Sequence, residues 1–294
     1  MARDLARQLI DGIKSLKGKV SPKTTIIGSC LKLNLALRKE LIKLGTTTKI
    51  ARAAKDLGIG RTGGHRRTML GIIHRKKAAK ARANKVTYLT SKDKRAKALY
   101  GTGVLPQATY GAETTGYSPT FVKELRTMAA DATGTAHRGR CPYTAIAVAK
   151  GMAWDPYVRG PVRLIQEWCR LAPKIHLPAL QRAWTIMETS IANAAQPWQI
   201  VKGPMSATYM HLQEMGWKIH FDIEQDKILY TDTKEDMYEV VDGVSWHEFK
   251  ETLEKERIAQ LWPAVGQHRA GEGLTAGADF TAGTKHYRWL IKEG

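Results

Sequence analysis

Hydrophobic residues recur at three- and four-residue spacing through most of this 294-residue chain, the pattern of helices that bury one face. Leu5, Leu9, Ile13 and Leu16 predict an amphipathic helix at the amino end, with a turn at Lys19–Pro22. The run Thr24–Gly28 predicts a strand, and a helix over about Leu31–Leu44 ends at Gly45. Ala53–Ile59 reads as a second strand, closed by the glycine-rich turn of Gly58, Gly60, Gly63 and Gly64. The next long element, His65–Leu89, reads as one helix, and another follows from Ser91 to about Gly101. Ser118 is placed to cap a helix reaching Thr133, with Pro119 at its first position. Asp155 before Pro156 has the same form.

Beyond that point the pattern predicts helices at about 142–150, 156–171, 178–194 and 205–215. A hairpin near 217–230 and a helix near Trp246–Trp262 follow, and Gly266–Gly283 reads as a linker or an unfinished element. The fold class is therefore α+β and predominantly helical.

Charge changes the picture more than composition does. Residues 1–100 hold 26 of the 47 Lys and Arg but 5 of the 27 Asp and Glu, a net of +21. The other residues, 101–294, hold 21 basic and 22 acidic side chains, so the formal +20 of the chain sits in its first third. Such a field gathers polyanions and holds them through phosphate contacts and counterion release, which makes nucleic acid the leading partner. On a helix over His65–Leu89, Met69, Ile72, Ala79 and Ala83 share one side. Arg67, Arg75, Arg82 and Lys85 fall in an arc of roughly 80°, read as the opposite side, and Arg66 and Lys77 join them as candidate nucleic-acid contacts. No Asp or Glu lies between 57 and 92, whereas ordinary surface helices interleave ion pairs. A basic solvated face is the alternative.

No apolar run approaches the roughly 20 residues that span a bilayer, and the amino end lacks the apolar core of a secretory signal. The expectation is an intracellular protein, nuclear or cytoplasmic, with no membrane partner. Cys30, Cys141 and Cys169 are scattered, without CxxC spacing, and read as small buried hydrophobes in a reducing compartment. No metal ligand set is legible.

Three stretches resemble the downstream half of a reverse transcriptase from a non-LTR retrotransposon. Ser21-Pro22-Lys23-Thr24 and the run Thr25–Ser29 resemble the end of the palm after the catalytic turn, motif D. Ala54-Lys55-Asp56-Leu57-Gly58-Ile59 resembles the motif E strand, the primer grip. The basic helices and Gly103-Val104-Leu105-Pro106-Gln107-Ala108-Thr109-Tyr110-Gly111-Ala112-Glu113 resemble the thumb and the segment after it. The resemblance covers about residues 1–135, with a fainter continuation that includes Ala153-Trp154-Asp155-Pro156.

That resemblance implies a palm remnant over 1–64, a thumb-like unit over 65–135 and a post-thumb region over 136–294. It implies that Lys23 sits at the motif D lysine, and Leu57 and Gly58 at the primer grip. The parent enzyme joins nucleotides with Mg held by carboxylates, including an Asp pair; this chain has no Asp-Asp dipeptide, and Met1 falls just after the place of that turn. The expectation is a fragment or degenerate copy that grips template and primer, RNA–DNA hybrid, DNA or RNA, without catalytic residues or cofactor of its own. The missing fingers and palm portion would be a further partner. Two other readings stay open: a stand-alone nucleic-acid-binding protein, and an interaction module acting through its carboxyl-terminal part. Asp222, Glu224 and Lys227 carry a faint nuclease-like spacing that a charged hairpin turn explains more simply.

Overall fold

A computed structural model describes residues 2–18, 20–21, 24–56, 59–135 and 138–278. The chain is α+β and predominantly helical. It divides into two compact units, Met1–His74 and Arg75–Gly294.

The first unit holds α1 (Ala2–Ser15), β1 (Thr25–Ile27), α2 (Leu31–Lys43), β2 (Lys49–Ala51), β3 (Ala53–Asp56) and β4 (Ile59–Thr62). β1 and β2 pair in parallel, Ile26 opposite Ile50, with α2 as the crossover that a parallel pair requires. The sequence pattern did not mark β2 as a strand. Ile10, Ile26 and Leu41 form a small core between α1, α2 and this pair. Arg7 joins α1 to α2 through Glu40 at 3.1 Å. The single strand expected over Ala53–Ile59 is instead half of a hairpin, with Ala53 opposite Thr62 and Gly60 inside β4 rather than in a closing turn.

The basic helix starts later than its composition suggests. α3 runs Ile72–Lys92, not His65–Leu89. The reason lies at Gly71, whose φ of +82° is a left-handed conformation that a helix cannot contain. Arg66 and Arg67 therefore precede the helix. The helix expected to reach Gly101 is a 3₁₀ turn at Lys94–Lys97 and a wide π turn at Tyr100–Val104. α4 (Leu105–Thr109) and α5 (Pro119–Ala132) follow; Ser118 precedes α5 as expected but makes no side-chain cap bond.

The remaining helices are α6 (Pro142–Lys150), α7 (Pro156–Leu171), α8 (Leu177–Ala192), α9 (Pro197–Ile200), α10 (Pro204–Met215) and α11 (Gly243–Gly266). α7 is central, burying Val158, Val162, Leu164, Ile165 and Trp168 against α5, α10 and α11. α11 buries Phe249, Leu253, Arg257, Leu261 and Val265, one residue per turn, and starts on an Asp242–Ser245 capping box. The expected hairpin has a third strand: β5 (Lys218–Asp222) pairs with β6 (Lys227–Thr231), and β6 with β7 (Met237–Glu239). Phe249 joins this sheet to α11, its ring 4.9 Å from Tyr230, 5.4 Å from Trp217 and 5.6 Å from Tyr238. A single core runs from Ala79 to Val265 and takes in residues on both sides of position 135, the boundary that the resemblance implies. Among the described residues no helix is long and apolar enough to cross a membrane.

Candidate nucleic-acid interface

α3 carries seven Lys and Arg and no Asp or Glu over residues 72–92. It is held by a stripe of small and β-branched residues, Ala79, Ala83, Val86 and Thr90, all buried. The spacing i, i+4, i+7, i+11 lays these on one face, and two alanines let the backbone lie close to the core beneath.

The cations take three different positions around that stripe. Lys76 is committed to the fold: it ion-pairs with Glu124 of α5 and lies 5.6 Å from the Phe121 ring centre. Arg75 is half-buried, 5.4 Å from the ring centre of Tyr110, and Arg82 is exposed while its Nη1 donates to the Gly103 carbonyl at 3.3 Å. Lys77, Lys80, Lys85 and Lys92 are exposed. Among the described residues Lys77, Lys80 and Lys85 have no carboxylate in ion-pair range.

This arrangement corrects the expected arc. At 100° per residue Arg75 lies about 40° from Ala79, and Arg82 about 40° from Val86, so these arginines border the buried stripe rather than oppose it. The outward face belongs to Lys77, Lys80, Lys85 and Lys92, spread over about 22 Å of helix, with Arg82 exposed at its rim. Lys80 and Lys92 were missed by sequence reasoning, although Lys80 follows Lys77 by one turn and Lys92 follows Lys85 by two. Tyr88 lies on this face, 65% exposed, with the Lys92 ammonium 5.8 Å from its ring centre.

The other expected residues fall elsewhere. Arg66 is exposed and Arg67 half-buried, both before the helix and within the first compact unit. Burial holds the Arg67 guanidinium below its ordinary pKa. Lys23, Leu57 and Gly58 lie outside the described residues. Tyr110 is exposed, and Gly111 forms the left-handed entry to a 3₁₀ turn at Ala112–Thr114. Cys141 and Cys169 are buried as expected, but Cys30, at the residue just ahead of α2, is exposed.

Two concentrations of titratable groups lie inside the second unit. Arg126 and Asp155 form one of them. In the other, the Tyr117 amide donates to His211 Nε2 at 3.1 Å, while His211 Nδ1 lies 3.1 Å from Glu214 Oε2 and 2.9 Å from Arg257 Nη2. Arg257 Nη1 donates to the same Glu214 oxygen at 3.1 Å. Burial, with the Arg257 charge beside it, pushes His211 down to about 4. His211 and Arg257 are fully enclosed, which leaves a substrate no approach. Asp222 closes a turn by accepting from the Glu224 and Gln225 amides, and Lys227 pairs with Glu239 at 3.0 Å, so the nuclease-like spacing is occupied by hairpin structure. Among the described residues no group of three or more His, Cys, Asp or Glu is arranged to hold a metal ion. The donor set on these elements does not fit the Mg of a polymerase, and no chemical step is assigned through it.

No protein-family model, curated protein or solved structure matches the chain.

Proposed function

We propose that this chain is the duplex-gripping part of a reverse-transcriptase-like polymerase and binds nucleic acid through the outward face of α3. One observation carries the reading: Lys77, Lys80, Arg82, Lys85 and Lys92 stand exposed along one helix that holds no carboxylate. Side chains of this kind neutralise successive phosphates, and each one that does so releases a counterion. The contacts are to phosphate and sugar, so binding tolerates sequence and favours shape: RNA–DNA hybrid, DNA or RNA. The resemblance to non-LTR retrotransposon enzymes supplies the parent reaction, RNA-templated DNA synthesis, with the nucleotide-joining metals in a portion of the enzyme bearing the Asp pair. No catalytic residue is assigned here.

The test is anisotropy of a labelled hybrid duplex with the full chain over a range of salt concentrations. With about six phosphates neutralised, log K falls against log salt with a slope of roughly −5. Replacing Lys77, Lys80, Arg82 and Lys85 by Gln flattens that slope to about −2. These side chains are exposed, so the far-ultraviolet dichroism of the variant stays that of the parent. An unchanged slope in the folded variant overturns the assignment.

A further inference from the structure

The second unit contains a hollow of about 210 Å³ between the ends of α5 and α6 and the π turn at Tyr100–Val104. Its walls are small and apolar: Ala129 and Ala132 from α5, Ile146 and Ala149 from α6, and the ring of Trp154. Its charged lining is of one sign, Lys97, Lys150 and Arg159, with no Asp or Glu. Asp155, next to Trp154 in sequence, is fully buried and taken by Arg126 through two hydrogen bonds, so it does not balance this charge.

The hollow is built rather than left over. Gly101 opens the π turn against Trp154, and a Cβ there would meet ring atom Cζ3 at 2.9 Å, so only glycine lets the indole lie this close. A single π turn of this kind recurs where a helix is widened for a site. Across Trp154 the Arg159 guanidinium lies 3.8 Å from the ring centre and the Lys150 ammonium 5.5 Å. Arg159 also lines a second, smaller hollow of about 40 Å³ together with Gly101, Thr109 and Arg163. Arg159 and Arg163 stand one helical turn apart, and among the described residues neither has a carboxylate in ion-pair range. Burial and the Arg163 charge both hold Arg159 below its ordinary pKa, an environment that an anion would relieve.

An apolar slot beside an arginine pair asks for a ligand with a flat apolar body and a phosphate. We infer that this hollow binds a nucleoside phosphate, its base between the alanine walls and Trp154, its phosphate on Arg159 with Lys97 and Lys150 around it. The nucleotide is either free or a single unstacked residue of a strand. Aromatic walls and cations recognise either without reading sequence. The inference does not depend on the α3 interface, which uses different side chains.

The experiment is calorimetric titration of the full chain with adenosine monophosphate, adenosine and inorganic phosphate. The monophosphate binds saturably with one site, and removing either the base or the phosphate weakens binding by about tenfold or more. Arg159→Gln weakens it by about tenfold, and Lys150→Gln, at an exposed position, by a smaller factor. Ala149→Leu fills the slot and abolishes binding, with a thermal melt to show that the variant is folded. A single-stranded oligonucleotide added to the α3 glutamine variant separates the two sources: competition with the monophosphate identifies a strand residue, and its absence a free nucleotide. Failure of the monophosphate to bind, or binding that survives both Arg159→Gln and Lys150→Gln, overturns the inference. Loss of the α3 salt slope leaves it standing.

Discussion

Arg126 holds Asp155 in a two-pronged grip, Nε to Oδ2 at 2.7 Å and Nη2 to Oδ1 at 2.8 Å. The same carboxylate accepts from the Tyr157 amide at 2.8 Å, so one side chain caps α7 and ties it to α5. Arg126 in turn lies 4.3 Å from the ring centre of Tyr143 on α6. Three helices therefore meet on a carboxylate that is 0% exposed.

Removing one partner of this pair leaves the other buried and uncompensated. Asp155→Ala costs about 3–5 kcal/mol, a loss read as a lowered denaturant midpoint. Replacing both residues by apolar ones costs less than the sum of the single changes, since no lone charge then stays behind. Strict additivity of the two single effects would refute a direct pair.

The His211–Glu214–Arg257 cluster gives stability a pH dependence. His211 titrates near its ordinary 6.5 when unfolded and at about 4 when folded, so the unfolded chain binds more protons between these values. Stability from this group is complete above about pH 6.5 and is lost as pH falls toward 4, on the order of 3 kcal/mol. Glu214, held below its ordinary value by His211 and Arg257, loses stability in the same direction at more acid pH. Denaturant midpoints from pH 7 to 4 measure this slope, and His211→Gln removes much of it.

Gly160 lies inside α7, where alanine is normally the better helix former by about 1 kcal/mol. Here the sign reverses. A Cβ at Gly160 would meet the buried Tyr117 ring at 2.6 Å, so Gly160→Ala destabilises by about 1–3 kcal/mol. A melting temperature equal to or above that of the parent would contradict this packing.

The three cysteines should differ in reactivity. Cys169 is buried, donates toward the Tyr230 hydroxyl at 3.3 Å, and is pushed up to about 12 by burial. Cys141 is also buried, whereas Cys30 is exposed. One thiol reacts rapidly with a disulfide reagent in the native protein, and all three do so in denaturant. Cys30→Ser removes the fast phase.

Much of the helical layout was legible because it is local. Pro142, Pro156 and Pro204 stand at helix starts, where the missing amide costs nothing, and the apolar period carries each helix onward. The concentration of positive charge was likewise open to reading. The β1–β2 pair was not, because its register, Thr25 to Lys49, joins residues far apart in sequence and depends on α2 as its crossover. Nor was β7, three residues long, whose edge pairing with β6 no local pattern announces.

The order of the residues was enough to establish that this chain is helical, carries its net charge in the first third and lacks an Asp-Asp dipeptide. Tertiary structure decided which cations face water. Arg75 and Arg82 lie within about 40° of buried neighbours, an angle at which only the packed core tells rim from surface. It also decided that Trp154, Lys97, Lys150 and Arg159, from separate elements, would enclose one hollow. Such a site has no period, since its residues are brought together by the packing of α5, α6 and α7 rather than by their spacing along the chain.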